Sequence, residues 1–110
     1  MDSSEPIIVL MTAASPEEAS RIAQMLVDGR LAACVQILPE IESVYRWQGK
    51  VKREKEILLL AKTLRSRFDE LESKVRALHS YETPEIIAVP VTDSSAAYLG
   101  WLLAGLRESS

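Results

Sequence analysis

The segment from His79 to Glu85 holds the densest group of potential metal ligands in this 110-residue chain. An imidazole followed three residues later by a carboxylate, as in His79 and Glu82, can chelate copper or zinc, and Glu85 adds another oxygen donor. The thiol of Cys34, the single cysteine, favours Cu(I) if the fold brings it close. Two or three ligands per chain are too few for a closed tetrahedral site. These residues therefore predict a metal site that is open, shared between subunits or weak.

The same residues also have a structural interpretation, which chemistry alone favours. His79 can end a helix, where a cationic ring complements the helix dipole. Glu82 and Glu85 can be solvated or accept hydrogen bonds from nearby backbone. At this point both interpretations stay open.

The chain offers little support for catalysis. Cys34 lies within an apolar segment, where a thiol is a poor nucleophile, and a small core residue is the simpler interpretation. The four glycines are scattered along the chain, so they form no glycine-rich phosphate loop. We therefore predict that the protein is not an enzyme.

Composition and charge predict one soluble domain. Hydrophobic residues make up 47% of the chain and charged residues 26%, and the formal net charge is −3. A chain of this size can bury a core without disulfides, and its mild acidity argues against a nucleic-acid partner. The apolar stretches are far shorter than the roughly 20 residues of a membrane helix, and the acidic start does not resemble an export signal. We expect a cytoplasmic domain over residues 1–110, with a flexible leader at 1–5.

Hydrophobic periodicity and turn residues predict the order of helices and strands. Ser15 begins the first helix with a capping box and Gly29 ends it. Pro39 marks a bulge, and Gln48-Gly49 turns a long hairpin. The predicted strands are 6–12, 32–38 continued at 41–47, 51–63 and 86–91, and the later helices begin at Ser66 and after a cap at 92–95. This βαββαβ order with an extra C-terminal helix predicts an α+β, ferredoxin-like two-layer sandwich.

Two features of these elements predict self-association. The hairpin arms are about twice the length of the first strand and must overhang the sheet, with Tyr45, Trp47 and Lys50 near the tip. The last helix is apolar nearly all round and includes Trp101, which is unusual for a lone surface helix. Exposed aromatic rings and a second apolar helix face both indicate a partner. We expect Tyr45, Trp47 and Trp101 to lie in interfaces.

Three separate motifs resemble those of the CutA divalent-cation tolerance family. They are RLAACV at 30–35, SVYRWQGK at 43–50 and LHSYETPEI at 78–86. The closing Tyr98-Leu99-x-Trp101-Leu102 is similar to the last helix of that family. The resemblance runs from about residue 6 to residue 106, with the motifs in the family's order.

The resemblance implies a ferredoxin-like subunit in a tight homotrimer that resembles the trimers of PII signal proteins. It also implies binding of copper or other divalent cations and a role in metal tolerance, with no established catalytic reaction. The metal contacts that it implies are Cys34, His79, Glu82 and Glu85. The chain departs from the family pattern at Ser80, where proline is usual, and it lacks the additional cysteines of other members.

These observations leave three hypotheses. The first is a cytoplasmic homotrimer that binds divalent metal ions weakly, with copper among the candidates. The second is a PII-like trimer that senses a small molecule in clefts between subunits, through Tyr45, Trp47, Lys50 and Tyr81. The third is a structural or anchoring trimer with a protein partner that is not identified.

Overall fold

A computed structural model describes residues 4–107, and its elements follow the predicted order. They are β1 (Pro6–Ala13), α1 (Pro16–Asp28), β2 (Cys34–Trp47), β3 (Lys50–Leu64), a 3-10 turn (Arg65–Arg67), α2 (Phe68–Leu78), β4 (Ile86–Pro90) and α3 (Ala96–Leu106). The strands form a sheet in the order β2-β3-β1-β4, with every neighbouring pair antiparallel. The predicted α+β, ferredoxin-like sandwich is confirmed.

One face of the sheet forms the floor of the hydrophobic core. Successive side chains of a strand point to opposite faces, so alternate residues of β1 from Ile7 to Ala13 share this face, and they are buried. The amphipathic helices α1 and α2 cover it with their apolar stripes. Those stripes contribute Ala19, Ile22, Leu26, Leu71 and Val75.

The opposite face of the sheet, here called the open face, is apolar and largely uncovered within one chain. The strand register places Ile8, Leu10, Leu58, Leu60, Ile87 and Val89 on it. Ile87 keeps 52% of its surface exposed and Val89 41%. A surface of this kind is typical of an interaction site.

Helix α3 covers only one end of the open face. Its buried residues Leu102 and Leu106 pack against Leu64 and Ala33. Trp101 and Leu103 of α3 are exposed, and Tyr98, one turn before Leu102 and beside Lys62, is exposed in part, as the all-round apolar pattern predicts. No helix within residues 4–107 is long and apolar enough to span a membrane.

The hairpin of β2 and β3 has the predicted turn and the predicted break. Gln48 and Gly49 have φ angles of 51° and 80°, the left-handed values of a two-residue type I′ turn. The register of the two strands shifts between Leu38 and Ile41, which confirms the bulge predicted at Pro39. Beyond β1 the hairpin overhangs the sheet, since β1 pairs with β3 only as far as Ile57.

Some predicted boundaries were wrong. The helix expected at Ser66 begins at Phe68, because the preceding residues form the 3-10 turn and no side chain caps the helix. The last strand ends at Pro90, one residue earlier than predicted. Cys34 is not a core residue. It is half-buried at the first position of β2, where pairing with Lys62 places it on the open face.

The leader predicted at 1–5 is described only in part, since residues 1–3 lie outside the described residues. Glu5 is held in place by Arg65. The carbonyl of Glu5 accepts the backbone N–H of Arg65 at 2.9 Å, and its carboxylate pairs with the Arg65 guanidinium at 2.9 Å.

Candidate functional site

The segment 79–85, here called the connector, links α2 to β4, and a carboxylate from α1 holds its start. Glu18 accepts the backbone N–H of Ala14 with Oε1 at 2.9 Å and that of Ser80 with Oε2 at 2.8 Å. Ser15 caps α1, since its Oγ accepts the N–H of Glu18 at 3.2 Å. The predicted helix start is therefore confirmed. The predicted capping box was wrong in its second half, because the Glu18 carboxylate accepts the N–H groups of Ala14 and Ser80 rather than that of Ser15.

Glu18 is ionised although it is only 4% exposed. Burial raises its pKa, but the hydrogen bonds from Ala14 and Ser80 outweigh burial and lower the pKa below its ordinary value of 4.5. A proline in place of Ser80 would have no N–H to donate. The departure from the family pattern at Ser80 thus provides one of the hydrogen bonds that hold the connector.

Both ring nitrogens of His79 already have partners. Nε2 lies 2.7 Å from the carbonyl oxygen of Thr12, and Nδ1 lies 3.0 Å from the backbone nitrogen of Tyr81. A carbonyl can only accept and a backbone N–H can only donate, so the ring carries its proton on Nε2 and accepts at Nδ1. His79 also ends α2, where its own N–H donates to Val75. In this arrangement the imidazole ties the connector to β1 and has no lone pair left for a metal.

Tyr81 joins the connector to the hairpin. Its hydroxyl donates to Oε2 of Glu56 at 3.0 Å, and its ring centroid lies 4.8 Å from that of His79. Glu56 itself is only 8% exposed. Burial and the bond to Glu56 raise the pKa of Tyr81 well above its ordinary value of 10, so the phenol stays a hydrogen-bond donor.

The connector and the hairpin border a groove with a volume of about 630 Å³, here called the acidic groove. Its lining contains four carboxylates (Glu54, Glu56, Glu82 and Glu85), three aromatic rings (Tyr45, Trp47 and Tyr81) and the ammonium of Lys52. Its volume lies within the roughly 300–1,000 Å³ of sites that hold small molecules. The groove is therefore concave, negatively charged and partly aromatic.

The structure separates the four predicted metal contacts. Glu82 and Glu85 are exposed and line the acidic groove. Cys34 lies apart from the connector. It pairs with Lys62 of β3, which pairs in turn with Ile8 of β1. Ile8 is four residues, or roughly 13 Å, along β1 from Thr12, whose carbonyl is the partner of His79. Within residues 4–107, no three His, Cys, Asp or Glu side chains are grouped closely enough to hold a metal ion.

The predicted interface and cleft residues also lie in separate parts of the structure. Tyr45, Trp47 and Tyr81 line the acidic groove together. Lys50 lies at the hairpin turn opposite Trp47, and Lys52 lines the groove in its place. Trp101 lies outside the groove lining, on the exposed side of α3, with its ring centroid 5.5 Å from that of Tyr98.

Sequence reasoning missed three carboxylates of this region. The sequence presents Glu18 only as a helix-capping residue, and Glu54 and Glu56 only as part of a solvated strip of mixed charge. The alternation of side chains along the two hairpin strands could have identified Glu54 and Glu56. Once the hairpin turn sets the register, residues 54 and 56 share a face with the rings at 45 and 47.

Comparison with known proteins matches residues 7–104 to the family model of the CutA1 divalent ion tolerance protein. The chain is 50% identical to the divalent-cation tolerance protein CutA of Thermus thermophilus, over 86% of this chain and 92% of that protein. It is 45% identical to the chloroplastic protein CutA 1 of Oryza sativa over 94% of this chain, and it spans 58% of the length of that relative. The crystal structure of CutA1 from Oryza sativa matches with a TM-score of 0.92 at 43% identity, covering 97% of this chain and 98% of that one.

Proposed function

Because this chain belongs to the CutA1 family of divalent ion tolerance proteins, we propose that it binds divalent metal ions as a homotrimer and contributes to metal-ion tolerance. The observation that carries the proposal is the acidic groove, whose lining contains Glu82 and Glu85 of the connector together with two carboxylates of the hairpin. No reaction is part of the proposal. The family is named for divalent ion tolerance, and that name indicates no catalytic activity.

Glu82 and Glu85 are the proposed metal contacts that one chain supplies to the acidic groove. Carboxylate oxygens bind hard divalent cations and also serve as ligands for zinc and copper. Copper is the first ion to test, because it has the highest affinity for a given site among the first-row divalent ions. Two carboxylates leave coordination positions for water or for a neighbouring chain, so the site is open and its affinity is low.

His79 and Cys34 can be metal contacts only under specific conditions. His79 becomes a ligand only when one of its two hydrogen bonds breaks, and otherwise it fixes the connector that bears the two glutamates. Cys34 lies on the open face, so its thiol contributes to a metal site only together with residues of neighbouring copies.

The open face supports the homotrimer. Burying its apolar side chains between copies gains about 25 cal/mol per Å² removed from water. The exposed side of α3 and the overhanging hairpin offer further apolar surface for the same purpose. The family resemblance supplies the number of copies, and three copies around one axis close without leaving an unpaired interface.

The comparisons do not support the alternative of a PII-like sensor, since they match a divalent ion tolerance family. Cytoplasmic location stays a prediction, and one relative is named chloroplastic. Fractionation of the source cells tests the location. An anchoring role with a protein partner also stays a prediction, which affinity capture from those cells tests.

Calorimetric titration of Cu(II), Zn(II) and Mn(II) into the full chain tests the metal site. The double variant Glu82→Gln, Glu85→Gln should bind at least about tenfold more weakly than the wild type, because it loses both contacts. The matched control is Glu17→Gln, Glu70→Gln, which removes two exposed carboxylates outside the groove and should bind like the wild type. Equal affinities of the groove variant and the wild type for every ion would overturn the assignment.

Single variants separate the other two contacts. Cys34→Ser should leave the affinity unchanged if the groove alone holds the metal, and a loss in that variant assigns the thiol to a site between copies. His79→Ala removes the hydrogen bonds that fix the connector, so any change in metal affinity should come from a more mobile connector rather than from a lost metal contact. Circular dichroism of the same samples reports whether each variant is folded.

A further inference from the structure

Hydrogen bonds at the start of the connector tie it to three other elements of the fold. They run from His79 to β1, from Ser80 to α1 and from Tyr81 to β3. Of these, the Tyr81 bond is the one that reaches the hairpin, and residues of the hairpin line the acidic groove opposite those of the connector. The spacing between the two sides of the groove therefore depends on the Tyr81 hydroxyl.

The two proposed metal contacts follow Tyr81 in the chain. Glu82 is the next residue, and Glu85 directly precedes Ile86, where β4 begins. Both carboxylates are exposed and line the acidic groove. Because Glu82 is joined to Tyr81 by one peptide bond, a shift of the Tyr81 backbone moves Glu82 with it.

The bond between Tyr81 and Glu56 joins the connector to a fixed point of the sheet. Glu56 pairs with Ile41 in the hairpin, and its Oε2 accepts the Tyr81 hydroxyl at 3.0 Å. Glu56 is only 8% exposed, so water competes little for this bond. The ring of Tyr81 is held as well, since its centroid lies 4.8 Å from that of His79. Tyr81 is thus a rigid link between the connector and β3.

We propose that Tyr81 is a positioning residue of the metal site, whose hydroxyl holds Glu82 and Glu85 in place by tying the connector to Glu56. The inference rests on the proposed metal site of this chain and adds the residue that sets its affinity. Metal ligands must be held to within about 0.5 Å of their working positions. Side chains that hold ligands in this way typically change metal affinity about 10- to 100-fold when they are removed.

Calorimetric titration of Cu(II) into the full chain tests the role of the hydroxyl. Tyr81→Phe keeps the ring beside His79 and removes only the donor to Glu56, and it should bind Cu(II) about tenfold more weakly than the wild type. The same change in the Glu82→Gln, Glu85→Gln variant should have no further effect, because the hydroxyl acts through those two carboxylates.

The matched control is Tyr45→Phe. It removes another hydroxyl of the acidic groove, one that interacts with Glu54 of the same hairpin and does not tie down the connector. It should bind Cu(II) like the wild type. Electron paramagnetic resonance of the bound Cu(II) separates positioning from stability. The copper hyperfine coupling should change in Tyr81→Phe and stay the same in Tyr45→Phe, whereas a loss of fold stability alone leaves the spectrum of the bound ion unchanged.

The set of variants distinguishes failure of this inference from failure of the metal assignment. If Glu82→Gln, Glu85→Gln weakens binding while Tyr81→Phe binds as tightly as the wild type or more tightly, the positioning role is overturned and the metal site stands. An equal loss caused by Tyr81→Phe with and without the two glutamates also overturns it. If the glutamate variant itself binds like the wild type, the metal assignment fails and the positioning role fails with it.

Discussion

The carboxylate of Glu18 accepts a hydrogen bond from the backbone N–H of Ser80 at 2.8 Å, across 62 positions of the sequence. The other oxygen of the same carboxylate accepts the N–H of Ala14, just after β1. One buried side chain thus fixes the end of a strand, the start of a helix and the start of the connector. The wall of the acidic groove therefore depends on a residue that does not line it.

Removing this carboxylate should destabilise the fold. Glu18→Ala leaves the N–H groups of Ala14 and Ser80 without acceptors, which we expect to lower the free energy of unfolding by about 3 kcal/mol. Urea denaturation followed by circular dichroism measures the change. The matched control is Glu17→Ala, an exposed carboxylate in the same helical turn, for which a change of less than about 0.5 kcal/mol is expected. Similar losses in both variants would contradict the role given to Glu18.

Glu18 should also make stability depend on pH in the acid range. In the folded chain its pKa lies below the ordinary value of 4.5, so the unfolded chain takes up the proton first as the pH falls. The stabilisation is complete above the unfolded pKa and is lost as the pH falls through the folded pKa. Unfolding free energies measured at a series of pH values should therefore fall below about pH 4.5 in the wild type.

The comparison variant for this pH series is Glu18→Gln, which has no titrating group at position 18. Its unfolding free energy should be lower at neutral pH and should vary less in the acid range. Parallel pH curves for the two proteins would show that Glu18 titrates alike in the folded and unfolded states.

The order of strands and helices could be predicted from sequence because it depends on local patterns. The apolar period of α1 and the turn at Gln48-Gly49 are properties of neighbouring residues. The bond between Glu18 and Ser80 is not local, and no short window of sequence contains both partners. The fold was therefore more predictable than the connections that hold its site.

The hydrogen bonds of His79 illustrate a property of the site that the sequence alone does not reveal. Its residue type and its distance from Glu82 suggest a metal ligand. Its two partners are the carbonyl of Thr12 and the N–H of Tyr81, backbone groups that almost any residue provides. Sequence identifies a side chain that can bind metal, but only the tertiary contacts show that its nitrogens are already occupied.

The open face should determine the oligomeric state. Ile87→Asp places a charge on the uncovered apolar sheet, which disfavours burial of that sheet between copies. Light scattering at micromolar concentration should give about three times the 12.2 kDa chain mass for the wild type and a lower mass for the variant. Ala77→Asp, on the exposed side of α2, should keep the wild-type mass. A monomeric wild type would contradict the homotrimer.

A crystal structure of the full chain grown with Cu(II), with anomalous data collected at the copper edge, tests metal binding by the acidic groove most directly. The proposal predicts an anomalous peak within coordination distance of the carboxylates of Glu82 or Glu85, with the other contacts from water or a neighbouring chain. Anomalous peaks confined to other parts of the surface, or no peak in crystals that contain copper, would contradict it.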